Sequence, residues 1–90
     1  VPLDILHPEL YKRLVAWRNA EASRLGLPVY TVIQQRAILG ITNLLPEDKA
    51  TLLRIPYFGK KGVEKYGDEL LEMVRMYKKE SGIAETLFSD

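Results

Sequence analysis

Apolar residues recur at helical spacing along most of this chain. Leu10, Leu14 and Trp17 share one face of a first helix, with Leu25 further along the same stripe. Pro8 suits the first helical position, because the N–H it lacks would have no partner there. Gly26 is placed to close that helix in the left-handed conformation, and Pro28 prevents its continuation. A further helix, roughly 35–44, presents Ala37, Ile38, Ile41 and Leu45 towards a core and is stopped by Pro46. The clearest period belongs to the last helix, roughly 62–80, where Val63, Tyr66, Leu70, Val74 and Tyr77 form the stripe. Lys78 and Lys79 suit its negative C-terminal end, and Gly82 is expected to cap it.

Two shorter stretches lie between these helices. Residues 28–34 are rich in β-branched side chains, but no second stretch offers a strand to pair with them. They read as a loop holding one helical turn, capped by Thr31. Asp48 is the expected N-cap of a brief helix carrying Leu52, Leu53 and Ile55. The expected fold is all-α, a compact bundle of about five helices over residues 8–80, with 1–7 and 81–90 as flanking or linker segments. Trp17 is expected to anchor the core. An indole buries about 150–250 Å², which at about 25 cal/mol/Å² is roughly 4–6 kcal/mol.

Composition narrows the function. Ninety residues make one small domain. Thirteen basic and 12 acidic residues give a net charge of +1, too balanced for a strong global field towards nucleic acid. Any such binding must be local. Lys49, Arg54, Lys60, Lys61 and Lys65 cluster in sequence against a single acid, Glu64. There is no cysteine, so disulfides and thiolate metal sites are excluded. No apolar run approaches the ~18 residues of a membrane span. The N-terminus lacks the regions of a secretory signal and a starting methionine, so one domain of a longer intracellular protein, cytoplasmic if bacterial, is expected.

The stretch Ile55–Gly67, IPYFGKKGVEKYG, carries the candidate chemistry. Pro56, Gly59 and Gly62 mark a turn running into the last helix, with Lys60, Lys61 and Lys65 beside it. A loop that opens a helix leaves backbone N–H groups free at a positive dipole end, which accepts phosphate. The competing reading is a tight connection with solvated lysines. No catalytic constellation is found. His7, the only histidine, precedes a proline at a helix start, where capping or exposure is expected. Asp68, Glu69 and Glu72 read as a solvated helix face, with Lys65 four residues from Glu69 and able to pair with it. No Walker loop, dinucleotide glycine pattern or zinc spacing occurs, and neither cofactor nor metal is expected.

With the helices placed, the chain resembles the HRDC domain, the helicase-and-RNase-D C-terminal module. The resemblance rests on Trp17-Arg18, Pro28 and Tyr30 before Val32, Ile41, Pro46, Leu52-Leu53-x-Ile55, Gly59, and Lys65-Tyr66-Gly67, in that order. It implies a five-helix bundle and a non-catalytic accessory module, commonly of RecQ-like or other bacterial helicases and less often of RNase D-type nucleases. The resemblance also implies a module of a kind that commonly helps bind DNA or RNA, with some members instead contacting proteins or their own helicase core. An aromatic at the place of Tyr30 looks like part of a single-strand contact surface; the other reading is a tyrosine packed over the loop with its hydroxyl outside. Arg36 stands either to reach a phosphate from the same face or as a solvated surface charge; these readings stay open at this point. The family usually has glycine where this chain has Tyr57, and often a basic residue where it has Gly62. Tyr57 then either reshapes the turn and blocks a phosphate or offers its ring to a base; both readings stand at this point.

The leading reading is an accessory domain that contacts single-stranded or junction DNA, or RNA, through Tyr30, Arg36, Lys49, Gly59, Lys60, Lys61 and Lys65. The alternative is a docking module for the helicase core of the same polypeptide or for another protein. As an isolated domain a monomer is expected, with no membrane partner.

Overall fold

Pro8 begins the first helix, α1 (Pro8–Leu25), and Gly26 ends it with φ 69°, its N–H returning to the carbonyls of Ala22 and Ser23. This computed structural model describes residues 7–81. The fold is all-α, with five helices among the described residues. After α1 come a single turn, α2 (Val29–Val32), then α3 (Gln35–Leu44), the short α4 (Lys49–Leu52), and α5 (Lys60–Ser81). The expected cap Gly82 lies outside the described residues.

The core forms where the apolar stripes converge. Leu10 and Leu14 of α1, Ile38 and Ile41 of α3, Leu52 of α4 and Leu70 of α5 are fully buried. The α5 stripe is buried over its whole length, from Val63 to Tyr77. α1 packs on α2, α3 and α5, while α4 lies on α5. Two features of α3 let the chain pass closely around it. Leu45 ends it in the left-handed conformation, φ 52°, immediately before buried Pro46. A Cβ on Gly40 would stand 3.0 Å from Cγ2 of Ile55, so that glycine admits the chain leaving α4.

Four local expectations are corrected. Trp17 is half-buried at the rim of the core. Its indole N–H needs an acceptor and finds one at the surface, donating to Glu69 Oε2 at 2.8 Å, while its ring meets Tyr66 edge-on at 5.1 Å. Thr31 does not cap α2: Pro28 holds the cap position, and the Thr31 hydroxyl donates back to the Pro28 carbonyl from within the turn. The short helix α4 ends at Leu52, so it does not carry Leu53 or Ile55: Leu53 is exposed beyond it and Ile55 is buried in the turn that follows. His7 sits at the N-cap of α1 without a side-chain cap bond; its Nδ1 instead lies 3.0 Å from the Tyr77 hydroxyl.

Candidate nucleic-acid interface

The turn between α4 and α5 is held at two buried points, Ile55 and Phe58. Between them Pro56 and Tyr57 are exposed. Tyr57 has φ 67°, in the left-handed region, and its side chain is directed outwards with 56% of the residue exposed. The non-glycine residue therefore keeps the backbone conformation that a glycine takes freely. Gly59 has open space around it and does not need a positive φ.

Gly62 has a packing reason. A Cβ there would lie 2.6 Å from Cε1 of Phe58, so the ring seats itself against the bare first turn of α5. The first backbone bond of α5 runs from Val63 N–H to the Gly59 carbonyl at 3.1 Å. The N–H groups of Lys60, Lys61 and Gly62 precede it and have no partner within the helix. Lys60 and Lys61 are exposed on this turn. No acid falls in the first turn of α5, so its N-terminal end keeps its positive character.

The basic residues divide over α5. Lys60 and Lys65, five positions apart, are about 140° apart around the axis. Lys65 turns towards α1, its Nζ 5.3 Å from the centre of the Tyr66 ring. It does not pair with Glu69, which is taken by Trp17. Lys49 lies along the other side, near Gly67, and pairs with Asp68 at 3.2 Å. The patch thus faces a second acid besides Glu64. Among the described residues, no carboxylate lies within ion-pair distance of Lys60, Lys61 or Lys65. Glu21 is held below the usual carboxylate range mainly by its hydrogen bond from Arg24, against desolvation, with the Tyr66 hydroxyl and the charges of Arg24 and Lys65 contributing.

Arg36 begins α3 and reaches the same turn. Its Nη1 donates to the Tyr57 hydroxyl at 3.0 Å, and its guanidinium carbon stands 5.1 Å from the centre of the Tyr57 ring. Arg36 of α3 thus touches the turn at Tyr57, and Gly59, Lys60 and Lys61 follow Tyr57 along the chain into α5. Tyr30, on α2, is 68% exposed and its hydroxyl has no partner among the described residues. Sequence reasoning missed the Arg36–Tyr57 contact, because nothing in a separation of 21 residues announces it.

The HRDC domain family matches residues 7–74. The chain belongs to the HRDC domain family. Similar proteins include the ATP-dependent DNA helicase UvrD2 of Mycobacterium bovis and those of two strains of Mycobacterium tuberculosis. Each is 37% identical over 67 residues, covering 74% of this chain and 10% of the relative. The chain spans about a tenth of the length of these relatives. No solved structure matches at a significant level. Among the described residues no three His, Cys, Asp or Glu side chains are grouped to hold a metal, and no helix is long and apolar enough to cross a membrane. In this HRDC domain a basic side chain in place of Gly62 would displace Phe58.

Proposed function

We propose that this HRDC domain is the accessory nucleic-acid-binding module of a larger ATP-dependent helicase. It contacts single-stranded or junction DNA weakly, and ATP hydrolysis and strand separation belong to residues outside this chain. The parent assignment draws on the name of the mycobacterial relatives. The observation that carries the binding assignment is that Lys60 and Lys61 are exposed and unpaired among the described residues, beside the open N-terminal amides of α5. Arg36, Lys65 and Tyr30 are the further contacts of this reading, and Lys49 is a reserve cation held by Asp68. Nothing here resembles a groove-reading helix, so affinity rests on phosphates and stacking, with slight sequence preference.

Such a site binds in the non-specific range, a Kd of about 10⁻⁴–10⁻⁶ M at physiological salt. Three or four phosphate contacts on a single strand give a log–log salt slope of about −2 to −3. The test is an NMR titration of the isotope-labelled chain with short single-stranded DNA at low and then physiological salt. Amides of Tyr30, Arg36 and residues 59–65 are expected to shift together, and the shifts to shrink with salt. Silence of all these amides at low salt and millimolar DNA overturns the reading. The docking role then replaces it, and the exposed Leu27, Leu44, Leu53 and Met76 are the first places to map a protein contact.

A further inference from the structure

We infer that Tyr57, backed by Arg36, is a stacking platform for one unpaired nucleobase. This rests on the nucleic-acid reading above and deepens it from phosphate contact to base contact. Four observations converge on the pair. Tyr57 holds φ 67° where a glycine would be unstrained. The turn does not need the ring for its core, because Ile55 and Phe58 supply the buried anchors on either side. The ring is mostly exposed, and Arg36 fixes it from α3 by a hydroxyl hydrogen bond and a cation–π contact, so little side-chain freedom is left to lose on stacking. Finally, the guanidinium spends one N–H on Tyr57 and has no carboxylate partner among the described residues, leaving donors for a phosphate.

The arrangement fits a nucleotide in two parts. The base lies on the Tyr57 ring, and the phosphates meet the free donors of Arg36 or the amides and lysines that open α5. Every base has a π-face, so the platform is tolerant of sequence. It requires a base that is not already stacked in a duplex, so it prefers single strands and loose ends.

The test compares a short oligothymidine strand with an abasic strand of the same length and phosphate count, by fluorescence anisotropy at low salt. The native chain is expected to bind the thymidine strand about tenfold more tightly, near the low end of a stacking contribution. Tyr57→Gly is expected to lower thymidine-strand affinity to that of the abasic strand, and glycine accepts the φ of this position, so the variant folds. Tyr57→Phe keeps the ring, loses the hydrogen bond to Arg36, and is expected to retain most of the preference. In NMR the ring protons of Tyr57 should move with thymidine and stay still with the abasic strand. Equal binding of both strands, with the salt slope intact, overturns the platform and leaves the phosphate reading standing. Failure of both strands to bind overturns both readings.

Discussion

Single residues decide the shape of the turn at the centre of this surface. Tyr57 and Gly62 both shape it, and they do so by different physics. Tyr57 accepts a left-handed backbone, at a cost of about 1–2 kcal/mol for a non-glycine residue, partly offset by its exposed contact with Arg36, worth about 0.5–1 kcal/mol. Gly62 gives up side-chain volume so that Phe58 can lie against α5 with only 6% of it exposed. Gly62→Ala should therefore run against helix propensity. Alanine is the better helix former by about 1 kcal/mol, yet its Cβ would meet a buried ring at 2.6 Å. Overpacking of this kind costs about 1–3 kcal/mol, and the propensity gain is reduced in a first turn. Urea denaturation should show a net loss of about 1 kcal/mol or more. A stabilised Gly62→Ala would mean that Phe58 has room to move and that the glycine has another purpose.

At the scale of elements, α4 shows what a four-residue helix needs. One turn has little propensity or cooperativity of its own, so its cap and its packing on α5 decide its stability. Asp48 supplies the cap, its Oδ1 accepting from Thr51 N–H at 2.8 Å. That backbone bond first, and a bond from the Thr51 side chain second, hold the Asp48 carboxyl below its ordinary value of 3.8. A group with a depressed folded pKa adds stability above its unfolded pKa and loses it as pH falls through the folded one. Asp48→Asn keeps an acceptor and removes the charge. The native chain should be the more stable at neutral pH, and its advantage should shrink as pH falls below about 4, the ordinary carboxylate range. Asp48→Ala should be weaker at both ends, and thermal melts of the three across this range would check the order. This cap was legible in the sequence, as were the bounds of α3 and the stripe of α5, because each follows from periodicity and a stop signal. The bonding of Trp17 and His7 was not, because each side chain found a partner that depends on how chain segments meet. The candidate site was legible as a list of basic residues around a turn. What the list lacked was the pairing of Arg36 with Tyr57 and of Lys49 with Asp68, both set by packing between elements.

For the whole molecule, a net charge of +1 makes the placement of each acid matter more than the total. Among the described residues Lys60 and Lys61 have no carboxylate within ion-pair distance and Lys65 faces Glu21 without pairing with it, whereas Lys49 spends its charge on Asp68, a residue whose side chain is 89% exposed. Both partners being largely in water, this pair contributes little to folding. Its larger effect is on the field above α5, where it cancels one of the few cations a phosphate chain would meet. Asp68→Asn should therefore leave the denaturation midpoint almost unchanged while strengthening single-strand binding by about two- to fivefold at low salt. If freed Lys49 reaches a phosphate, the log–log salt slope should steepen by about 0.7, the value of one more contact on a single strand. Lys49→Ala should abolish that gain in the double variant and have only a small effect alone. Anisotropy titrations at three salt concentrations would separate the outcomes. An unchanged affinity for Asp68→Asn would confine the strand to the Arg36, Tyr57 and Lys60 side of α5 and remove Lys49 from the surface. A steeper slope would extend the path along α4, and Asp68 would then be the residue that keeps this domain's hold on DNA weak.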